Sequence, residues 1–448
     1  METPICDFVR RYAESGALRL HMPGHKGAGP LGFEALDITE IAGADSLYEA
    51  DGIIRRSEEN ASALFGADTF YSTEGSSLCI RAMLALVQLD AAVPGRRTRV
   101  AAGRNAHKTF LSAAALLDLD VQWLTPDTPD SYLSCPLTAA GLARQLDAMD
   151  PPPAAVYLTS PDYLGHTLDL AAIAGVCHAR GILLLVDNAH GAYLKFLPVS
   201  RHPLDLGADL CCDSAHKTLP VLTGGAYLHI APAVRQRFSP QAKDALVLFG
   251  STSPSYLILQ SLDAANRRLA EGYRAQLADF LPAVERAKAA LRGHGWQLEG
   301  DEPLKLTLRT KPFGYRGDNL SRLLAAQGLE CEFADPDYLV MMVTPETGGA
   351  GLARLTGALC QIPRRPAILE PPPVFAGAVP ALSIRAAMLA RREILPIDRC
   401  EGRILASATV GCPPAVPILV CGEQIDAHAI RCFAYYGIDH CTVVARPL

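Results

Sequence analysis

The sequence predicts an α/β protein whose large domain is built on a mostly parallel sheet, and three observations lead there. Two are the runs Gly181-Ile-Leu-Leu-Leu-Val-Asp187-Asn-Ala-His190-Gly and Ala208-Asp-Leu-Cys-Cys-Asp-Ser214-Ala-His216-Lys217-Thr. Each is a short apolar stretch that stops abruptly at polar residues, the pattern of a strand covered on both faces. The third is the alternation of such runs with helix-period segments between about residues 61 and 270, as expected of βαβ units.

In chain order, residues 1–60 read as an irregular N-terminal arm, glycine-rich around Leu20-His21-Met-Pro-Gly24-His25-Lys26, with little sign of a core. Residues 61–270 form the large domain, with a helix over Ser77 to Leu89. Its strands are expected over Thr98 to Ala102, Ala154 to Thr159, Ile182 to Asp187, Asp209 to Asp213 and Ala226 to Ile230. An amphipathic stretch from about Ser261 to Leu291 predicts a long helix bridging domains, stopped by Gly293 and Gly295. Residues 271–365 read as a small α+β domain, with a strand over Lys305 to Arg309 and a helix over Asn319 to Gln327. The proline-dense stretch Pro363 to Pro373 is a semi-rigid linker. Residues 366–448 form a further C-terminal domain, with turn signals around Gly411-Cys-Pro-Pro-Ala-Val-Pro417.

Composition narrows the function. With 448 residues, 49% of them hydrophobic, the chain can bury a large core in more than one domain. A net charge of −6 without a basic stripe argues against nucleic-acid binding and for small charged metabolites. The 13 cysteines form neither a C-x-x-C pair nor a ligand cluster along the chain, so the expectation is buried thiols and no metal. The N-terminus has no apolar signal core, and no run approaches the ~18 apolar residues of a membrane span. A cytoplasmic protein is expected.

In open α/β sheets ligands sit beyond the carboxyl ends of the strands, so Asp187 and Lys217 are delivered to one rim. A lysine that can hold an aldehyde as a Schiff base, with a carboxylate to keep a pyridine nitrogen protonated, suits pyridoxal phosphate (PLP). Ser214 can offer a hydroxyl to the phosphate and His216 a second donor. Gly75, Ser76 and Ser77 open a helix, where backbone N–H groups favour an anion. His107, just after the strand at Thr98 to Ala102, lies on the same rim and could stack on the ring. The segment Gly27-Ala-Gly29-Pro-Leu-Gly32 matches a dinucleotide fingerprint but has no βαβ context, so it is set aside.

Taken together, the residues resemble the ornithine/lysine/arginine decarboxylase family of fold-type I PLP enzymes. The motifs are His21-Met-Pro-Gly-His-Lys26, Asp37-Ile-Thr-Glu40, Asp45-Ser-Leu-Tyr48, Gly75-Ser-Ser77, Arg104-Asn-Ala-His-Lys108 and Thr159-Ser-Pro161. They continue in Asp187-Asn-Ala-His-Gly191, Ser214-Ala-His-Lys-Thr-Leu-Pro220, Ser251-Thr-Ser-Pro-Ser-Tyr256, Glu401-Gly-Arg403, Pro413-Pro-Ala-Val-Pro417 and Gly422-Glu423. The resemblance implies an aspartate-aminotransferase-type (type I) large domain and smaller α+β C-terminal domains. It implies decarboxylation of lysine, arginine or ornithine to the corresponding di- or polyamine and CO2, in a homodimer or multiple of dimers. It places the cofactor on Lys217, pairs Asp187 with the pyridine nitrogen, stacks His107 over the ring and stands His190 beside Asp187. Ala189 would pack beneath the ring, with Ser76, Ser77, Ser214 and His216 around the phosphate. Thr252 would reach the phosphate of the neighbouring subunit, and Glu423 would meet the distal cation of a basic substrate. Asn188, Glu74, Cys412 and Cys421 depart from the family's usual residues, an acidic residue being frequent at position 188. Two other outcomes are a different PLP reaction on the same scaffold, such as amino transfer with Arg385 gripping the α-carboxylate, and a non-catalytic PLP-binding homologue.

Overall fold

The computed structural model describes residues 1–128, 132–412 and 416–446. Residues 413–415, which belong to the late proline motif, lie outside these. A seven-stranded sheet contains β1 (Asp68–Ser72), β2 (Arg99–Gly103), β3 (Asp120–Leu124), β4 (Ala155–Thr159), β5 (Leu183–Asp187), β6 (Leu210–Asp213) and β7 (Ala226–Ile230), in the order β1-β7-β6-β5-β4-β2-β3. β2 runs parallel to β3 and β4, and β5 runs parallel to β6. β7 is antiparallel to both of its neighbours, β6 and β1. The mostly parallel sheet of the predicted fold class is therefore present. β1 and β3 were not expected: Asp-Val-Gln-Trp-Leu is half-exposed at all but its last residue, so β3 lacks the aliphatic run that marks a buried strand.

The chain forms two compact units, Met1–Asp90 with Leu183–Ala278, and Ala91–Ile182 with Asp279–Leu448. The first holds β1, β5, β6 and β7. Its N-terminal stretch is more ordered than an irregular arm, because helices Pro4–Glu14 and Ile53–Phe65 bury Ile5, Val9, Ile53 and Ile54. Asp263 anchors the first helix by accepting the N–H groups of Ile5 and Cys6, both at 3.0 Å. The long helix expected from Ser261 to Leu291 is interrupted. Helix Tyr256–Arg268 gives way at Glu271 and Gly272, the latter at φ 130°, before helix Arg274–His294 resumes. Gly272 adopts a backbone geometry that side-chain-bearing residues avoid, which amphipathic periodicity does not register. Gly295, at φ 105°, then stops the second helix where expected.

The second unit holds β2, β3 and β4. Its four-stranded sheet contains β8 (Gln297–Glu299), β9 (Lys305–Arg309), β10 (Phe333–Ala334) and β11 (Tyr338–Met342), in the order β10-β11-β9-β8. Two small antiparallel pairs follow, β12 (Arg392–Pro396) with β15 (His440–Val444) and β13 (Thr409–Cys412) with β14 (Val416–Val420). Cys400, Leu405, Phe433 and Val443 belong to the same buried cluster as Leu133 and Tyr338. Among the described residues no helix is long and apolar enough to cross a membrane.

An ion pair is buried inside this unit. Arg104 Nη2 meets Glu423 Oε2 at 2.7 Å, with both side chains only 5% exposed. The same Glu423 oxygen accepts the Val420 N–H at 2.9 Å, and the Arg104 guanidinium lies 5.1 Å from the Trp123 ring centroid. Glu423, expected to meet a substrate cation, is thus committed to an internal arginine. Removing one member of a buried pair strands the other charge. Glu423→Ala is expected to destabilise the cofactor-free chain by about 3–5 kcal/mol, read from urea or thermal unfolding. Unchanged stability with impaired substrate binding would return Glu423 to the recognition role.

Candidate active site

The first unit assembles an anion cup where β1 ends. The chain turns through Thr73 and Glu74 into helix Gly75–Ala91, whose first residues expose N–H groups free of intrahelical partners. Gly75, at φ 71°, donates its N–H to Gly224 O at 2.7 Å. Gly224, at φ 98°, lies so close that a Cβ there would sit 2.7 Å from Thr73 O. Only glycine fits that crossing of two loops. Ser214 Oγ donates to Ser76 Oγ at 2.8 Å, so the two predicted hydroxyls do converge, Ser214 being 1% exposed. Ser77 is half-buried on the same first turn.

His216 behaves differently from expectation. Its Nδ1 and its backbone N–H both point to Gly225 O, each at 3.1 Å. A carbonyl only accepts, so Nδ1 carries the proton. Burial, aided by the charge of Lys217, pushes the imidazole pKa below its ordinary value. The neutral ring offers Nε2 as an acceptor, so the second donor predicted for the phosphate is already spent on the Gly225 turn.

Lys217 sits on the single turn Ala215–Thr218 that follows β6, and its Nζ lies 3.2 Å from His190 Nε2. His190 thus partners the lysine directly. Asp187 ends β5 with 2% exposure, and its Oδ1 accepts the Ala189 N–H at 3.1 Å and the Cys212 Sγ–H at 3.7 Å. Ala189 is 7% exposed beside it. The nucleophilic amine, the buried acid and the hydroxyl-lined cup therefore all belong to one compact unit. This donor set fits PLP: a primary amine for its aldehyde, a carboxylate for its ring nitrogen, and N–H and hydroxyl donors for its phosphate.

His107, Thr252 and Arg385 were also singled out in the sequence. His107 belongs to the second unit and N-caps helix Lys108–Leu117, its Nδ1 accepting the Thr109 N–H at 3.2 Å. Because that N–H can only donate, the His107 proton resides on Nε2. Thr252 is exposed. Arg385 donates to Ala115 O at 2.9 Å and Leu116 O at 3.1 Å, closing the C-terminus of that same helix, which leaves its proposed carboxylate grip without support.

One group escaped the sequence reading. Asp213, the last residue of β6, accepts from Asn188 Nδ2 at 2.6 Å, His202 Nε2 at 3.0 Å and His229 Nε2 at 3.1 Å, with no exposure of its side chain or of either imidazole. The sequence signal was an acidic residue inside an otherwise apolar strand, but its partners come from separate segments.

The second unit also contains a cavity of about 870 Å³, with Thr159, Asp162, His166, Glu299 and Arg309 among its walls. His166 Nδ1 lies 3.1 Å from Asp162 Oδ2, and its Nε2 lies 3.5 Å from Glu299 Oε2. Hydrogen bonds to these two carboxylates raise its pKa to about 10.

Comparison with known proteins agrees with the geometry. The family model described as Orn/Lys/Arg decarboxylase, major domain, matches residues 3–307, and the C-terminal domain model of the same family matches residues 375–439. An uncharacterized protein of Bacillus subtilis, YaaO, is 31% identical over 96% of this chain and 93% of its own length. An arginine decarboxylase of Halalkalibacterium halodurans is 30% identical, covering 95% of this chain and 91% of its own. Among solved structures, lysine decarboxylase A from Pseudomonas aeruginosa superposes with a TM-score of 0.79 at 18% identity, over 97% of this chain and 76% of that one, a likeness of fold.

The raised pKa of His166 sets a pH dependence. A group whose folded pKa exceeds its ordinary 6.5 contributes stability that is complete below that pH and lost as pH climbs through about 10. The stability difference between wild type and His166→Gln is therefore expected to shrink across that interval in unfolding experiments at stepped pH. A difference independent of pH would mean the imidazolium is not the stabilising form.

Proposed function

The chain belongs to the Orn/Lys/Arg decarboxylase family of PLP-dependent carboxy-lyases, and from that premise we propose that it decarboxylates a basic amino acid, with arginine the first candidate. The arginine assignment draws support from the Halalkalibacterium halodurans relative, an arginine decarboxylase 30% identical over 95% of this chain. The observation that carries the reading is the hydrogen bond between Lys217 Nζ and His190 Nε2, within the unit that also holds Asp187 and the Ser76–Ser214 cup.

When bound, PLP supplies a conjugated electron sink for the pair released as the C–C bond to CO2 breaks. Lys217 would hold the cofactor through Nζ. That amine, 3.2 Å from His190 Nε2, is positioned to exchange a proton with the imidazole and would deliver one to Cα. Asp187, buried at the end of its strand and accepting the Ala189 N–H and the Cys212 thiol, would face the pyridine nitrogen. Ser76, Ser214, Ser77 and the first N–H groups of helix Gly75–Ala91 would hold the phosphate and Ala189 would lie against the ring, while the family resemblance makes His107 the candidate to stack on it. Thr252 serves a neighbouring subunit.

A second copy of this chain is the proposed partner. Leu18, Leu20 and Met22 in the N-terminal stretch are 82%, 83% and 70% exposed, apolar surface that a homodimer would cover. Light scattering is expected to give twice 47.8 kDa or a multiple of that pair. A 47.8 kDa particle at assay concentration would remove the role given to Thr252.

The chemistry is tested by borohydride reduction of the PLP-loaded protein and peptide mapping, alongside CO2 and amine measurements on arginine, lysine and ornithine. The label is expected on Lys217, and Lys217→Ala should lose both label and turnover. Arginine should release CO2 and one equivalent of its amine. A keto acid product, or a label on another lysine, would overturn the assignment.

A further inference from the structure

We infer that the Asn188–Asp213 contact is a positioning clamp that sets the spacing of the two strand ends carrying Asp187 and Lys217, an inference resting on the cofactor placement proposed above. β5 and β6 pair in parallel register up to Asp187 opposite Cys212, and the Asn188 N–H extends the ladder to Cys212 O at 3.0 Å. Beyond that rung backbone pairing ends and the functional loops begin. The side-chain bond from Asn188 Nδ2 to Asp213 Oδ1, at 2.6 Å, is the next link between the chains. Asp187 immediately precedes one partner. Ser214 follows the other, and its carbonyl accepts the Lys217 N–H at 3.0 Å.

The clamp is held from behind. Asp213 Oδ2 accepts from His202 and His229, and His229 Nδ1 lies 2.9 Å from Thr69 Oγ1 on β1. Burial works to raise the Asp213 pKa, but the two imidazoles overcome it and hold the carboxyl below its ordinary value, so the anion persists. Asn188 Oδ1 has no hydrogen-bond partner and packs where a Cβ on Gly191 would overlap it, so the glycine leaves room for the amide.

Cys211 lies on the same side of β6 as Asp213, and the donor atoms of His202, Cys211, Asp213 and His229 all fall within 4.8 Å of one another. A cation centre would need His202 Nε2 as a lone-pair donor. The Leu204 N–H points at His202 Nδ1 at 3.4 Å, which leaves the proton on Nε2 and makes this imidazole a donor to Asp213. With that tautomer His202 donates to Asp213 as His229 does.

The test is a double-mutant cycle read by PLP titration and by the pH profile of the bound cofactor's visible absorbance. Asn188→Asp sets two carboxylates face to face across the 2.6 Å gap. It is expected to weaken PLP affinity by roughly 10- to 100-fold and to move the pH profile, since small misplacements at a reacting centre are felt at that scale. The exchange Asn188→Asp with Asp213→Asn restores one amide facing one carboxylate and should recover most of the affinity. The inference is overturned if Asn188→Asp matches wild type in both readouts, or loses only thermal stability. It is equally overturned if the exchange is as impaired as the single variant, or if stoichiometric zinc accompanies the purified protein and leaves with Asp213→Asn. A wild-type chain that binds PLP but releases no CO2 from basic amino acids would fail the substrate reading alone, because cofactor affinity is the measurement here.

Discussion

The constraint behind the site is that a strand covered on both faces accepts a charged side chain only where it can be given hydrogen-bond donors. All five residues of β5, all four of β6 and all five of β7 are buried. β5 and β6 each end in an aspartate, so two carboxylates enter low-dielectric surroundings at adjacent strand ends. Asp213 receives three donors, two of them imidazoles, and Asp187 accepts the Ala189 N–H and the Cys212 thiol. Both acids are thus tied to the segments that follow or flank their strands.

The anion cup depends on a different limit, the closeness of two backbones. Gly75 and Gly224 both occupy positive-φ conformations, and each exists for the other: the N–H of one reaches the carbonyl of the other at 2.7 Å. That contact brings the start of helix Gly75–Ala91 to the loop after Lys217. The two serines then meet without any long side chain having to span the gap. His216 strengthens the arrangement from inside, binding Gly225 O twice instead of reaching for the phosphate. Phosphate affinity at such a cup comes mainly from oriented N–H groups and hydroxyls.

Much of this was legible in the sequence because the informative strands are aliphatic and end sharply. Ile182 to Asp187 and Asp209 to Asp213 were located to within a residue, and with them the acid and the lysine. Ser76 and Ser214 were legible as hydroxyls near helix and strand ends. What stayed hidden was whatever depends on pairing between distant segments. Nothing local marks His202 and His229 as partners of Asp213, or Arg104 as the partner of Glu423, since those contacts span from 11 to 319 positions. β3 was hidden for a local reason, its polar, half-exposed composition, and the break at Gly272 because helical periodicity continues on both sides of it.

The same distinction changes the meaning of Asn188. Taken alone, an amide at a position where an acid is frequent in the family reads as a lost charge beside the catalytic aspartate. Across the rung, the carboxylate stands on the neighbouring strand at Asp213, 2.6 Å from that amide. An amide facing an acid makes the same link whichever strand carries which, provided the acid's second oxygen finds donors. Here His202 and His229 supply them. Asp213 stands beside two imidazoles that donate to its second oxygen. Substitutions at the two positions should therefore be energetically coupled.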